Sequence, residues 1–439
     1  MRCRSHLRMA IRSHNWRGVL VFFVILGLYL AHGGTKGGKS KHNQEKIPIP
    51  EELFMNPTNS TTDFTAYNIS EMNSNFGFNL YRKMADKHDN NIFFSPFSVS
   101  FTLASLLLGT QGDTHEQLLS GLNWEAFKKQ QHLYKLATLL KEVREGVTKS
   151  EGYSLDLGSL SLVQEQFSLK EEFLNQTIMY FDMEYQNIDF HNPNAKHAIS
   201  AMISKKSRGR ISELQDNFDP QTKLMLLDFI LFKGKWQVPF KPDSTATDTF
   251  FINKYNSVKV PMMYKNDKIA SMYDKLWSCI VLNLPYRGGA HMLIIMPEKE
   301  ENFDALEDGL TMELVARWLL KMKSRKTDIF FPKFKLDHKY KLKTSLEDLG
   351  IKDVFTGKAN LTRMTEERNL LLSEVTQRAV IEIDEIGTEA SGVTGLEIIA
   401  YSMPYTIRLN RPFIFMIFDE KYKSLLFIGR IINPTSSKD

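Results

Sequence analysis

Cysteine is nearly absent from this chain, which has two cysteines among 439 residues. Cys3 lies in an arginine-rich N-terminus and Cys279 in an apolar run, so a chain without its N-terminus has one thiol and no internal disulfide. This excludes the small secreted folds that depend on disulfides. Stability must come from a hydrophobic core, for which a hydrophobic content of 42% is ample. We expect Cys279 to be buried and unreactive in that core.

A charge excess of one sign is also lacking. The net charge of +5 comes from five N-terminal arginines, Arg2, Arg4, Arg8, Arg12 and Arg17. Without residues 1–33, fifty-one basic and fifty-one acidic residues remain. We therefore expect no nucleic-acid partner, and any anion-binding site must be local.

The N-terminal apolar run, Val19–Ala31, has thirteen residues, which is too short to span a bilayer comfortably. Together with the arginines before it and two glycines after it, the run predicts a secretory signal peptide over residues 1–33 and a secreted chain. An uncleaved anchor is the alternative. Residues 34–70 lack hydrophobic periodicity and predict a flexible tail. No internal linker or repeat divides residues 71–439, which predicts a single domain.

Catalytic and metal-binding motifs are missing. The chain has no Gly-X-Ser-X-Gly nucleophile motif and no phosphate-binding P-loop. His115 and Glu116 begin like a zinc-binding helix, but Leu119 stands where the second histidine is needed. His191 and His197 are six residues apart in a proline-containing segment and share no helical face. We therefore predict that the protein is neither an enzyme nor a metalloprotein.

Four Asn-X-Ser/Thr sequons lack proline at the middle position. In a secreted chain such sequons predict N-linked glycans. They lie at Asn59, Asn68, Asn175 and Asn360.

The stretch Glu385–Ser402 is a long connection that follows an alternating strand pattern, Ala379–Asp384, and precedes two apolar strands. Long loops without structure of their own are usually functional or disordered. Here the even-numbered positions from 388 to 400 are small or apolar, and both carboxylates, Glu389 and Glu397, fall on odd positions. Alternate side chains of an extended chain point to opposite faces, so this segment can enter a sheet with its charges left in water. A flexible surface loop is the alternative.

Five motifs in this chain resemble those of the serpins, a family of serine protease inhibitors, and they occur in the family's order. They are NIFFSPFSVS at Asn91–Ser100, FKGKWQVPF at Phe232–Phe240, GTEA at Gly387–Ala390, RPFIFMIFD at Arg411–Asp419 and LLFIGRIINP at Leu425–Pro434. The first resembles the family's motif beneath the sheet opening, and the second resembles the segment whose Trp marks where insertion begins. The resemblance extends over about residues 71–436.

The resemblance implies an α+β serpin fold with three β-sheets, eight or nine helices and an exposed reactive-centre loop over residues 385–403. It also implies that a serine protease cleaves this loop, forms an acyl-enzyme, and is trapped when the loop inserts into the central sheet. The family's spacing from Gly387 gives Tyr401–Ser402 as the reactive bond. The implied hinge consists of Glu385, Gly387, Thr388, Glu389, Ala390, Gly392 and Thr394.

The small hinge side chains favour inhibition, because burying a charged hinge residue costs several kcal/mol. Non-inhibitory serpins, which act as carriers or chaperones, remain the alternative. Closer similarity within the family, at Ile398–Phe413, Lys254–Tyr264 and Lys326–Tyr340, implies inhibition of coagulation factors Xa and XIa in plasma. The chemistry of the bond alone predicts a chymotrypsin-like target, since Tyr401 fits a deep hydrophobic specificity pocket.

The same similarity implies that protein Z, with phospholipid and calcium, accelerates inhibition of factor Xa, so that membrane contact is indirect. Its predicted surface comprises Asp89, Lys254, Tyr255 and Asp308, while Asp86 and Asn253 depart from the related sequence. An exposed Tyr among charges is a common interface anchor, and an ordinary strand aromatic is the alternative. We expect a monomer with no prosthetic group.

Heparin is a further implied cofactor, and it needs a basic face. The helix-like run Phe127–Arg144 provides such a face at Lys128, Lys129, His132 and Lys135. A solvated helix surface is the alternative.

Overall fold

Helices and strands alternate irregularly along the chain. The computed structural model describes residues 64–128, 130–207, 209, 211, 218–387 and 405–437, and within them lie nine α-helices and fourteen β-strands. The helices are α1 (Ala66–Ala85), α2 (Pro96–Leu107), α3 (Gly112–Gly121), α4 (Gln130–Thr148), α5 (Glu171–Phe181), α6 (Ala195–Lys206), α7 (Phe303–Asp308), α8 (Met312–Lys321) and α9 (Lys343–Asp348). The strands are β1 (Ile92–Phe94), β2 (Tyr153–Gln164), β3 (Glu184–Ile188), β4 (Leu224–Gly234), β5 (Ala246–Phe251), β6 (Ser257–Asp274), β7 (Cys279–Pro285), β8 (Ala290–Pro297), β9 (Lys323–Pro332), β10 (Phe334–Lys341), β11 (Leu372–Ile383), β12 (Tyr405–Arg408), β13 (Phe413–Asp419) and β14 (Ser424–Ile431). This inventory confirms the predicted α+β class.

The smaller sheet contains five of these strands in the order β10-β11-β4-β2-β3. Its central pair, β11 and β4, is parallel from Leu372 opposite Leu224 to Ile381 opposite Phe232. Strand β4 is buried on both faces, which explains its nearly continuous apolar sequence. Strand β11 alternates between buried and more exposed residues near its end, as its sequence predicts.

The larger sheet runs β1-β14-β13-β8-β7-β6-β9-β12, and β5 pairs with β6 beside this path. The family resemblance implies three sheets, whereas hydrogen bonding in the described part of the chain connects the strands into two. The physical reason is the length of β6, whose eighteen residues pair with β5 at one end, with β9 in the middle and with β7 at the other end. Strand β6 therefore makes two predicted sheets continuous. The predicted apolar strands near the C-terminus are β13 and β14.

The hydrophobic core has two parts. The main part includes apolar side chains of helix α2, and every residue of this helix is buried. That helix begins with a capping Ser95 and with Pro96 at its first position, both of which favour helix initiation. The smaller part packs Ile199 and Ile203 of α6 against the outer face of β4. Cys279 is fully buried as expected, and burial raises the pKa of its thiol to about 12.

Helix α1 begins at Ala66, five residues before the predicted start of the domain at residue 71. The cause is a capping box: the Thr65 hydroxyl accepts the backbone N–H of Asn68, and the Asn68 side chain accepts the backbone N–H of Thr65. Ile69 is then buried in the core. Residues 1–63, with the predicted signal peptide and most of the tail, lie outside the described residues. Among the helices that are described, none is long and apolar enough to cross a membrane.

Candidate functional site

The parallel pair β4–β11 ends where the predicted reactive loop leaves the sheet. Strand β4 ends at Gly234 and β11 at Ile383, and their carboxyl ends lie at the same edge. A chain that turns back from this edge runs antiparallel to both strands and can hydrogen-bond to each of them. The outer pairs, β10 with β11 and β2 with β4, are already antiparallel. A strand added between β11 and β4 would therefore be antiparallel to both. The strands from β10 to β2 would then have only antiparallel neighbours within this part of the sheet.

The first residues of the predicted loop are held by the segment that follows β4. The backbone N–H of Trp236 donates to the Ile386 carbonyl at 2.9 Å, and that of Phe240 donates to the Glu385 carbonyl at 2.7 Å. The indole Nε1 of Trp236 donates to the Asp384 carbonyl at 3.0 Å. Three hydrogen bonds thus attach the end of β11 and the start of the loop to the segment that follows β4.

Gly387, the predicted hinge glycine, has a φ of +113°, a conformation that favours glycine. A Cβ atom added there would lie 2.1 Å from the Gly234 carbonyl oxygen. The Asp384 carboxylate stabilises the turn by accepting the backbone N–H groups of Ile386 and Gly387, each at 2.9 Å. Both the backbone conformation and the close packing therefore require glycine at this position.

Glu385, the first predicted hinge residue, is 8% exposed and fully paired. One carboxylate oxygen lies 2.7 Å from the Lys333 ammonium, and the other accepts the Thr245 hydroxyl at 2.7 Å. Burial by itself raises the pKa of Glu385, but the hydrogen bonds from Lys333 and Thr245 outweigh it and hold the pKa below its ordinary value. The ion pair ties the end of β11 to the connection between β9 and β10. Nothing in the sequence indicated Lys333 or Thr245 as partners.

We predict that Glu385→Lys lowers the free energy of unfolding by about 2–4 kcal/mol, because two ammonium groups then share a largely buried site. Denaturant unfolding of the native protein measures this loss. The exchanged variant, Glu385→Lys with Lys333→Glu, restores opposite charges and should recover most of it. Equal stability of the single and exchanged variants would show that the ion pair does not hold the strand end.

An aromatic cluster lies below the loop's start. The Trp236 ring is 1% exposed and stacks on Tyr286 with centroids 4.2 Å apart. Beside it, the Lys265 ammonium donates to the Val238 carbonyl at 2.7 Å and lies 4.6 Å from the Phe240 ring centroid. Burial lowers the pKa of Lys265 to about 8, although Asp267 partly opposes this. The resemblance singled out Trp236 in this segment, but nothing in the sequence indicated that Lys265 would be buried beside it.

A buried polar network crosses the parallel pair near its middle. Asp228 of β4 and Gln377 of β11 are register partners, and Gln377 Nε2 donates to the Asp228 carboxylate at 2.7 Å. The Ser98 hydroxyl donates to the other carboxylate oxygen at 2.6 Å. Gln377 also accepts the backbone N–H of Ser95 at 2.8 Å and donates to its carbonyl at 3.0 Å. The network therefore joins both strands to the start of α2.

Asp228 is fully buried, and burial raises the pKa of its carboxyl despite the hydrogen bonds it accepts. An acid whose pKa is higher in the folded than in the unfolded state destabilises the fold as pH rises through the interval between the two values. The network therefore joins β4 to β11, but burial of the Asp228 carboxyl reduces the stability that its hydrogen bonds provide. A lone carboxylate in the apolar run of β4 was visible in the sequence, but its partners were not.

We predict that Asp228→Asn changes the pH dependence of stability. The parent's stability relative to this variant should be greatest at acidic pH and should decline as pH rises through the raised pKa. Unfolding midpoints measured from acidic to neutral pH test this. The exposed Asp243, replaced in the same way, is the control, and a parent–variant difference that does not change with pH contradicts the assignment.

The predicted reactive bond and most of the hinge lie outside the described residues. These are Thr388, Glu389, Ala390, Gly392, Thr394, Tyr401 and Ser402. The chain is described again from β12, which pairs in parallel with β9. The Arg325 guanidinium lies 3.9 Å from the Tyr405 ring centroid, and that of Arg408 lies 3.7 Å from the Phe330 centroid and 2.6 Å from Asp248. These contacts anchor both ends of β12.

Tyr255, in the predicted protein Z surface, lies in the turn between β5 and β6 and is 82% exposed, so it is not an ordinary strand aromatic. Asn253 builds this turn, because its side-chain oxygen accepts the backbone N–H groups of Tyr255 and Asn256 at 2.9 Å each. The Lys254 ammonium lies 4.9 Å from the Tyr255 ring centroid. The Lys254 backbone N–H donates to Glu300, just before α7.

Asp308, which ends α7, and Asp89 are both exposed. A buried arginine connects the elements that carry them: Arg430 donates to the Glu307 carboxylate at 2.8 Å and to the Asn90 carbonyl at 3.0 Å. Together with the hydrogen bond from Lys254 to Glu300, these bonds join the segments that carry the four predicted residues to the neighbourhood of α7.

The predicted heparin residues are less clearly arranged. Lys129 lies outside the described residues, and Lys128 lies 3.6 Å from the Glu116 carboxylate. The His132 ring packs edge-on against a phenylalanine, and Lys135 is half-buried. Because these groups already have neighbours of their own, the structure adds no support for heparin on this face.

Three of the four sequons are described, and Asn59 is not. Asn175 is exposed on α5. Asn68 uses its side-chain oxygen in the cap of α1, and Asn360 accepts the Thr362 hydroxyl at 2.8 Å. Asn175 is thus the most accessible of the three.

Comparison with known proteins agrees with this geometry. A family model described as serpin (serine protease inhibitor) matches residues 71–434. The chain is 45% identical over 369 residues to the protein Z-dependent protease inhibitor of Mus musculus, covering 84% of this chain and 82% of that protein. Identity to the Homo sapiens protein of the same name is also 45%, covering 84% of this chain and 83% of that protein.

Comparison with solved structures finds a protein with the same name as these relatives. The crystal structure of the mouse protein Z-dependent protease inhibitor matches with a TM-score of 0.80 at 44% identity, covering 84% of this chain and 98% of that one. Human thyroxine-binding globulin matches with a TM-score of 0.79 at 28% identity, covering 85% and 100%. The chain belongs to the serpin family. Its family model and its named relatives are those of protease inhibitors and not of enzymes.

Proposed function

We propose that this serpin is a suicide substrate whose loop, cut at Tyr401–Ser402, inserts between β4 and β11. The observation that carries the proposal is the parallel pair itself, because the chain leaves β11 at the one edge from which it can return antiparallel to both strands. The start of the loop is held at Glu385 next to this pair, and β12 on the other side of the proposed cut is held to β9, so that cleavage would release the hinge side from β12.

The chemistry follows from acyl transfer. The protease serine attacks the Tyr401 carbonyl, the bond to Ser402 breaks, and the amine of Ser402 leaves, so that Tyr401 is held to the protease as an ester. Hydrolysis of this ester competes with insertion. Insertion moves the attached protease with the loop and distorts its active site before water completes the reaction.

Fast insertion needs hinge side chains that enter the sheet without a large desolvation cost. Thr388, Ala390, Gly392 and Thr394 are small and uncharged, while Glu389 has the opposite parity. Arg378 and Asp337 form an ion pair at 2.7 Å on the face of β11 that lies opposite Phe229 of β4, so a charged side chain on that face would have polar neighbours on the β11 side. Even-numbered hinge residues would face the apolar side.

For the target, we propose coagulation factor Xa, with protein Z, phospholipid and calcium as accelerating partners, and factor XIa as a second protease. Support comes from relatives named protein Z-dependent protease inhibitor and from the exposed Tyr255 beside α7. Tyr401 is a poor primary contact for an Asp-based specificity pocket, and a cofactor that brings both proteins to one membrane raises their effective concentration. A chymotrypsin-like target is the alternative that Tyr401 by itself favours.

We further propose a secreted, glycosylated plasma monomer, on the basis of the signal layout and the sequons. Heparin remains a proposed cofactor without structural support on α4. A carrier function is the rival proposal, favoured by the structural similarity to thyroxine-binding globulin, although at lower identity than the inhibitors.

Denaturing gel electrophoresis after incubation with factor Xa, with and without the three accelerating partners, tests the proposal. We expect a detergent-stable complex and a C-terminal peptide that begins at Ser402. Thr388→Arg should leave cleavage intact but abolish the complex, because a charge then enters the apolar side of the sheet. Glu389→Arg, one residue on and of opposite parity, is the matched control and should still form complex. Clean cleavage of the parent without complex favours the carrier or another target.

Tyr255→Ala should weaken acceleration by protein Z about tenfold or more and leave the uncatalysed rate unchanged, because truncation of an interface hot spot costs about 2 kcal/mol or more. Tyr67→Ala is the control, since Tyr67 is an exposed tyrosine near the opposite end of α1 from the loop with Asp89. The measurement is the rate of complex formation as protein Z is titrated. Equal acceleration in all three proteins removes Tyr255 from the interface.

A further inference from the structure

We propose that the cavity between α4, α5 and the segment before β11 binds a small amphipathic carboxylate, whose charged end is held by Arg363. Such a ligand has an apolar body and a single carboxylate. The cavity has a volume of about 440 Å³, which is within the usual range for small-molecule sites. Its lining includes no residue of the predicted hinge, reactive bond or protein Z surface.

Part of the cavity's lining is apolar. Leu133 of α4 and Phe173 of α5 line it, and both belong to the main hydrophobic core. Leu108, the residue after α2, also lines it and is partly buried against the same core. A ligand that lies on this surface removes its own apolar atoms from water, which favours a hydrocarbon or aromatic body.

Arg363 supplies a positive charge to the same cavity. Its side chain is half-buried, and among the residues that the structure describes none accepts a hydrogen bond from its guanidinium or forms an ion pair with it. Burial, followed by the positive charge of Arg363, lowers the pKa of the neighbouring His115, whose imidazole is therefore neutral at neutral pH. A guanidinium that has lost part of its water without gaining a partner favours a carboxylate, which it can bind through two parallel hydrogen bonds.

The other charged groups that line the cavity have partners. The Lys170 ammonium lies 2.6 Å from the Glu366 carboxylate and donates to the Thr362 carbonyl at 2.8 Å. Glu172, which is exposed, accepts the Gln176 amide at 3.2 Å. One guanidinium thus remains for one carboxylate, which favours a singly charged ligand over a sulfated polysaccharide that needs a row of cations.

A second cavity, of about 390 Å³, adjoins the first and shares Gln111, Leu133 and Arg363 with it. Asn360, a predicted glycan site, lines only this second cavity. A glycan at Asn360 would fill part of that space. We therefore place the apolar body of the ligand in the first cavity, with its carboxylate at the boundary that Arg363 forms between the two.

The two sides of the cavity lead to strands on opposite sides of the proposed opening. Helix α5 connects β2 to β3, which lie on the β4 side, whereas the segment with Arg363 leads into β11. The Lys170 backbone N–H joins the two sides by donating to the Met364 carbonyl at 2.8 Å. A ligand that contacts both sides would stabilise the closed sheet and slow insertion. This effect rests on the proposed loop insertion, whereas binding itself does not.

Calorimetric titration of the intact protein with decanoate tests the site. Decanoate should bind the parent and should bind Arg363→Gln about tenfold or more weakly, because the charge-assisted hydrogen bonds are lost. Arg363→Lys keeps the charge without the paired donors and should recover part of the affinity. Arg368→Gln, which alters an exposed arginine five residues further along the same segment, is the matched control and should bind as the parent does. Decanol, which lacks the charge, should show no dependence on Arg363.

Equal affinity of the parent and Arg363→Gln for decanoate, or no binding to either, would overturn the site. Binding of heparin that depends on Arg363, without binding of decanoate, would also overturn it and assign the cation to a polysaccharide. Saturating decanoate should lower the ratio of trapped complex to cleaved product in the parent and leave it unchanged in Arg363→Gln. An unchanged ratio in the parent despite binding would overturn the effect on insertion and leave the site standing. Absence of complex in every sample would overturn the insertion proposal alone, because the titration uses no protease.

Discussion

The parallel pairing of β4 and β11 is the constraint on which the rest of the structure depends. Nine register partners join two strands that run in the same direction, while each strand's other neighbour is antiparallel. The sheet is complete as it stands, because every strand is hydrogen-bonded. It can nevertheless gain a strand at its centre, which replaces one parallel ladder with two antiparallel ones and adds the hydrogen bonds of a second ladder. A sheet with one more strand would therefore contain more hydrogen bonds than the present sheet does.

Two sets of contacts hold β4 and β11 together, one at the middle of the pair and one at its end. At its middle, Asp228 and Gln377 bridge the strands through hydrogen bonds that must break if the strands separate. The bridge contains a buried carboxylate, whose burial cost offsets part of its stabilising effect. At its end, Glu385 and Trp236 hold the start of the loop in place. In the proposed mechanism, these contacts keep the intact protein closed and yield once cleavage frees the loop.

Periodicity and apolar runs along the chain predicted several β-strands near the C-terminus. The alternation of Ala379–Asp384 gave the end of β11, and the apolar C-terminal runs gave β13 and β14. Features that depend on distant partners were missed: Lys333 is fifty-two positions from Glu385, and Gln377 is far from Asp228 in the chain. The start of α1 was missed because its cap, Thr65 with Asn68, is polar and precedes the hydrophobic positions. The family resemblance implied three sheets, whereas the eighteen residues of β6 pair with β5, β9 and β7 and so join strands into one larger sheet.

A reversible disulfide across the parallel pair tests the central claim most directly. Leu231 and Val380 are register partners near the exit of the loop, and neighbouring strands lie about 4.8 Å apart, within disulfide reach. Insertion of a strand doubles that separation to about 10 Å, which a disulfide cannot span. The measurement is the ratio of trapped complex to cleaved product for Leu231→Cys with Val380→Cys, oxidised and then reduced, with a serine protease that cuts after Tyr401. We predict cleavage without complex in the oxidised protein and recovery of complex on reduction. Equal trapping in both states would mean that the inhibitor works without opening β4 and β11.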